Sequence, residues 1–300
     1  MAINTNQIAA LLRPGLKAVF GQLPLYPEQW KEIFTTYQSD KYQEIDVEMR
    51  YLGAADIKAE GSPYAVDTMG QRTVTNYIHK RVGLSFTITK EAMEDNLYQS
   101  QFPQQAVSLR NSLRSTKNIL GANILNNAFN AAYPIGDGKA MCAVDHPIDG
   151  GSFGNKLVNA ADISLTALET MIIQIQQTPM VSGMLAQIMP KKLIIPPQQQ
   201  FAASVILNTR AEPGTQNNSI NPIYHSNYIP QGYVVNQYLT NPRSWFVITD
   251  CPNGLKHFQR TPVETDTYVD FPTDNIMAKA GERYSFGVSD WRAIFGSAIA

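Results

Sequence analysis

Cysteine is nearly absent from this chain: Cys142 and Cys251 are the only two among 300 residues. Two thiols exclude a disulfide-stapled scaffold and point to folding in a reducing compartment. Charge is scarce as well. Asp, Glu, Lys and Arg make up 16% of the residues, against about 25% in ordinary soluble proteins. A surface so poor in charge is expected to lie partly against partners. The net charge is −1, so there is no global basic field of the kind that gathers nucleic acid. No apolar run approaches the roughly 18 residues a membrane span needs. The N-terminus MAINTNQIAALLRPG lacks the basic start and continuous apolar stretch of a signal peptide. Nothing matches a phosphate-binding P-loop, a dinucleotide fingerprint or a zinc-protease helix, and no internal repeat is visible. What is present is 44% hydrophobic residues, enough for a substantial core.

The strongest local pattern lies at 44–89. From Glu44 to Leu52, Ile45, Val47, Met49 and Tyr51 fall on one face and Glu44, Asp46, Glu48 and Arg50 on the other. Period-two alternation marks a half-buried strand. A second run, Gln71 to Thr89, places Val74, Ile78, Val82, Leu84, Phe86 and Ile88 on one face. At about 3.3 Å per residue it would extend on the order of 60 Å, more than the roughly 50 Å diameter of a compact chain this long. A two-stranded ribbon is marginal alone in water. It is therefore expected to bend onto its own body or to lie along another molecule. Val47, Met49, Val82, Leu84 and Phe86 are its expected interface positions.

Before the ribbon, residues 1–43 look like an arm, with Ile3, Ile8, Leu11 and Leu12 suited to a short amphipathic turn and Trp30, Ile33 and Phe34 at helical spacing. After it, Thr89 and Glu91 suit a helix start that carries Ala92, Met93 and Leu97. A longer helix is predicted from about Pro103 to Asn130, followed by a loop region over 133–162. Another helix begins near Ser164 or Thr166 and stops before Pro179. KKLIIP and WFVIT read as buried strands, and a helix runs from Phe201 to Leu207. The stretch 208–233 is polar and long enough for a functional loop. Separated helices and strands give an α+β architecture.

Several sharper motifs compete with blander accounts. GGSFG (150–154) fits the nucleophile-elbow pattern, but that motif needs a strand before Ser152 and a helix straight after it. Pro147 and two glycines precede it and no helical periodicity follows, so a glycine-rich loop is the better account. Cys142 with His146 and Cys251 with His257 are one possible zinc set, yet the pairs are over a hundred residues apart in sequence and neither forms a C-x-x-C knuckle. Isolated cysteines are usually small core residues. Arg110, Arg114 and Lys117 make a basic stripe on the long helix. It would face packaged nucleic acid, pair with a neighbour's Glu44, Asp46 or Glu48, or simply be solvated. A single-strand nucleic-acid binder is disfavoured by the near-neutral charge.

Taken in order, an arm, an extended ribbon, a long helix, a mixed body and a closing strand resemble the major capsid protein of tailed bacteriophages. That α+β fold is named after phage Hong Kong 97. The segment PYAVDTMGQRTVTNYIHKRVGLSFTITKEAMEDNLY resembles the end of the family's extended loop running into its spine helix. YSFGVSDWRAIFGS resembles the final peripheral-domain strand. The resemblance implies an arm at 1–43, an extended loop at 44–89, a peripheral domain at 90–163 and 262–300, and an axial domain at 164–261. It implies a structural, non-enzymatic subunit without cofactor or metal. Such a subunit would form hexamers and pentamers of an icosahedral shell around double-stranded DNA, assembled in a bacterial cytoplasm and ending in the virion. A separate scaffolding protein, a portal and decoration or cement proteins are the implied partners, with no membrane. Lys58 lies where some relatives carry a cross-linking lysine, without a residue-level match for that chemistry. The alternatives are an encapsulin-type compartment on the same fold, and an α+β hydrolase using Ser152.

Overall fold

A computed structural model describes residues 25–94, 102–211 and 219–299. The amphipathic turn expected at 3–12, Leu97, and part of the polar stretch 208–233 fall outside these residues. Among the described residues, twelve strands and five helices follow in order. They are β1 (Thr35–Gln38), β2 (Gln43–Arg50), β3 (Gly70–Ile78), β4 (Lys80–Ile88), α1 (Lys90–Glu94), α2 (Phe102–Asn126), β5 (His146–Ile148) and β6 (Gly151–Phe153). Then come α3 (Leu165–Gln176), β7 (Pro190–Ile195), α4 (Gln200–Asn208), α5 (Pro222–Ser226), β8 (Tyr233–Val235), β9 (Ser244–Thr249), β10 (Leu255–Val269), β11 (Ile276–Val288) and β12 (Ile294–Ala298).

Two four-stranded sheets carry the body. One has the order β1-β10-β11-β4 and the other β12-β9-β7-β8; β2-β3 and β5-β6 are two-stranded. The second sheet explains the apolar runs KKLIIP and WFVIT, whose strands are covered on both faces. Leu193, Ile195, Trp245 and Val247 pack with Leu168, Met171 and Ile175 of α3. Ile194, Phe246 and Ile294 pack with Trp30, Phe34 and Leu125. Each of these fully buried side chains contributes on the order of 1.5–3 kcal/mol. Helix α3 starts where Ser164 accepts a hydrogen bond from the Ala167 amide, so Ser164 rather than Thr166 is its cap. Among the described residues, no helix is long and apolar enough to cross a membrane.

The long run at 71–89 does not form one continuous ribbon. It breaks at His79, β3 pairing with β2 and β4 crossing to pair with β11. His79 is buried at this crossing and fixed through both ring nitrogens, 3.0 Å from Ser39 Oγ and 3.0 Å from Ser285 Oγ. The longest strands are instead β10 and β11, of 15 and 13 residues. β10 would span about 50 Å at 3.3 Å per residue. Helix α2 lies against this sheet, with Leu109 and Leu113 over Ala280, Val82 and Phe86. The closing strand β12 returns to the second sheet beside β9.

Candidate assembly surfaces

The ribbon is docked on the body by its charged face. Asp46 pairs with Lys256 at 2.7 Å and Glu48 with Arg292 at 3.1 Å. Arg50 reaches Asp149 at 2.5 Å, and Arg72 donates to the Pro147 carbonyl at 2.6 Å. Tyr77 anchors the base of β3. Its ring packs on Phe258 and over Gly287, where a Cβ would come within 2.5 Å of Tyr77 Cε1. Its hydroxyl meets Ser289, which also bonds Asp46. Arg292 is buried and further held by the Pro179 carbonyl and Asp290. Such half-buried pairs hold geometry firmly because removing one partner strands a charge away from water.

The opposite face is left open. Ile45, Val47, Met49 and Tyr51 of the first ribbon segment are 52%, 43%, 38% and 56% exposed, with Val74 and Ile78 exposed beside them on β3. This is the reverse of the usual apolar-in arrangement, and a contiguous exposed apolar strip is the mark of an interaction surface. The strip continues into the tip, where Ile57, Tyr64 and Val66 are exposed. Asp67 closes the tip's base. It accepts from the Gly53 amide at 2.7 Å, from Arg50 at 2.9 Å and from the Thr68 amide at 2.7 Å, and these bonds hold its carboxyl down at about 2. An apolar groove of about 750 Å³ separates the ribbon from α2, lined by Val74, Ile78, Leu120, Ile124 and Tyr133.

The expected interface residues therefore divide. Val47, Met49 and Leu84 are exposed, whereas Val82 and Phe86 pack on α2 of the same chain. The basic stripe on α2 is a correction. Arg110 is exposed, but Arg114 donates to the Tyr26 carbonyl at 2.8 Å and Lys117 is buried. Lys117 pairs with Glu282 at 2.7 Å and lies 4.8 Å from the Trp30 ring and 4.5 Å from that of Tyr284. Burial lowers its pKa, opposed by Glu282. The arm and β11 cover this side of the helix; Gly121 lets the arm approach, since a Cβ there would stand 3.1 Å from Trp30 Cβ. The acids Glu44, Asp46 and Glu48, offered as a neighbour's counter-charges for that stripe, are bound within the chain.

Ser152 belongs to the glycine-rich segment expected at 150–154 rather than to a nucleophile elbow. It sits exposed on β6 of a tight hairpin that turns through Gly150 at φ +81°, and no helix begins before Leu165. That is not a strand-to-helix elbow. The residue that matters here is Asn155, directly after the motif and fully buried. Its amide donates to the carbonyls of Met141, Trp291 and Ile294, while its oxygen accepts from Ala143. The same oxygen lies 3.0 Å from His146 Nε2, whose Nδ1 is 2.6 Å from Asp137 and whose ring stacks on Trp291. Cys142 is buried in the second core cluster, and burial raises its thiol pKa. His257 lies among Trp30, Tyr284 and Phe286, far in character from a metal ligand; burial, then Lys117, pushes it down to about 3. Among the described residues, no group of three or more His, Cys, Asp or Glu is placed to hold a metal.

A docked ribbon with an open apolar face, a long helix on an extended sheet, and a second packed α/β body together define a shell-forming subunit of the Hong Kong 97-like fold. A family model described as phage capsid protein matches residues 71–297, and the chain belongs to that family as a structural major capsid protein. Solved structures share the fold at low identity. One from Microbacterium phage Oxtober96 aligns with TM-score 0.55 and 9% identity, covering 100% of this chain and 99% of that one. The capsid of cyanophage P-SCSP1u gives 0.56 and 12%, over 96% and 93%. The SrpI encapsulin of Synechococcus elongatus gives 0.56 and 11%, over 99% and 96%. No curated protein sequence matches the chain.

Proposed function

We propose that this subunit builds a closed icosahedral shell by presenting the apolar face of its ribbon to the next copy. The observation that carries this is the inverted ribbon, with charges turned onto the body and Ile45, Val47, Met49 and Tyr51 turned out. Burial of such a strip between copies stabilises each contact modestly, and repetition around closed symmetry makes the assembly stable. Hexamers and pentamers are the capsomers, with arm 1–43, extended loop 44–89, peripheral parts 90–163 and 262–300, and axial part 164–261. The shell encloses double-stranded DNA through non-specific contacts. Scaffolding, portal and decoration or cement proteins act with it in the host cytoplasm before it becomes the virion capsid. The family match favours this over an encapsulin compartment, for which the likeness is one of fold.

The test is Val47→Asp in the full chain, followed by electron microscopy and a melting curve. The charge enters an exposed site, so the subunit should fold normally and fail to form particles. Normal particles would remove the ribbon face from the assembly contact.

A further inference from the structure

The arm is strapped across α2 and β10 over polar groups that have no partners. Residues 26–34 are held to α2 by hydrogen bonds. The Tyr26 amide donates to Asn111 Oδ1, Arg114 to the Tyr26 carbonyl, Asn118 to the Pro27 carbonyl, and the Trp30 amide to Asn118 Oδ1. β1 then pairs with β10, placing Thr36 beside His257. Under the strap the His257 ring centroid lies 4.2 Å from that of Trp30 and 5.7 Å from that of Tyr284. Both His257 nitrogens, Trp30 Nε1 and the Tyr284 hydroxyl are buried without a hydrogen-bond partner among the described residues. Four such atoms on three adjoining rings are unusual, because buried polar groups are nearly always paired. The charged groups that face His257 give it no acceptor. Lys117 of α2 and Lys31 of the arm oppose a proton there, Glu282 of β11 is taken by Lys117, and Glu28 by Lys31.

We propose that residues 26–38 form a latch that acid loosens, because a proton on His257 finds no acceptor beneath the closed strap and is accommodated by water once the strap lifts. With the strap closed, burial, then Lys117 and Lys31, hold His257 down at about 3. With the strap lifted the imidazole is hydrated and takes up its proton near pH 6.5. Below about pH 6.5 the open form therefore binds one more proton than the closed form. Opening grows about tenfold per pH unit until the closed form also titrates. The strap is the wall that gives way. Its bonds to α2 are ones that water replaces, and β1 has four residues with every side chain exposed, whereas β10 and β11 have 15 and 13 residues. Trp30, Ile33 and Phe34 are buried, so the closed form dominates at neutral pH. Opening uncovers the Lys117 and Asn118 side of α2 and so changes the face the subunit presents. The latch belongs to the single subunit and does not depend on the shell reading.

The experiment is hydrogen exchange of the full chain at about pH 7 and about pH 5, read as protection relative to the free amide rate at each pH. The Ile33 and Phe34 amides, which donate to the Trp30 carbonyl, and the amides of β1 report the strap, while α3 and β9 report the body. Strap protection should fall about 25-fold between the two conditions, the change in open fraction for one proton with affinities near 6.5 open and about 3 closed. α3 and β9 should keep theirs. His257→Phe fills the aromatic site without a basic nitrogen and should remove the pH dependence, with a melting curve as its folding control. Strap protection that ignores pH, or that falls together with α3 and β9, would overturn the latch. An undiminished fall in His257→Phe would overturn it too, by assigning the acid response to another group such as Glu282. Should that variant not fold, the comparison of strap with body in the unaltered chain still decides.

Discussion

At the scale of single residues, buried charge and buried amide groups decide more than the surface motifs do. Lys117 and Glu282 are a pair closed in by Trp30 and Tyr284. Lys117→Ala should destabilise the subunit by about 3–5 kcal/mol, because Glu282 is left buried and alone. Lys117→Met with Glu282→Leu should restore most of that in urea unfolding, and neither change should alter DNA retention. Asn155→Ala should cost roughly 3 kcal/mol or more by leaving several buried partners unsatisfied. His257 makes stability depend on acid. The unfolded chain takes up the proton near pH 6.5, whereas burial holds the folded group at about 3. Between those values the unfolded state binds more protons, so this group's contribution is complete above about pH 6.5 and falls with pH by up to about 1.4 kcal/mol per unit. His257→Phe should flatten the acid limb of a stability profile by about one proton; an unchanged slope would contradict the assignment. A sequence signal existed for the buried cations that hold the ribbon. Lys256 in LKHF and Arg292 in WRAIF are cations inside apolar runs, which is where a buried ion pair is to be sought.

At the scale of elements, what was legible followed from burial on fixed faces. KKLIIP and WFVIT read as strands because both their faces are covered, and α3 read as a helix because one face is. The alternation at 44–52 was equally plain, but not which side would face the body. The rule that apolar residues turn inward fails here, since the matching charges, Lys256 and Arg292, come from over two hundred residues away. The same distance hid the partner of β4. Its pairing with β11 is non-local, so the run 71–89 looked like one strand although His79 divides it between sheets. The consequence for mutation is direct. Phe86 packs on α2, so Phe86→Asp should destabilise the subunit itself rather than only its assembly. Asp46→Ala, by contrast, should loosen the ribbon. Hydrogen exchange over 43–50 and 70–78 should rise while α3 and β9 stay protected; uniform protection would show that the ion pairs do not hold the ribbon down.

At the scale of the whole molecule, a chain with little charge and one exposed apolar strip is built to be completed by its neighbours. The body supplies rigidity through two sheets and their helices, and the ribbon carries the apolar face proposed above as the contact between copies. Each contact is modest alone, and closure multiplies them. Electron microscopy of the purified, unaltered protein across a range of salt and concentration tests this most directly. The account predicts closed shells, capsomers or tubes built from regular rings of subunits. A monodisperse monomer under every condition would contradict it.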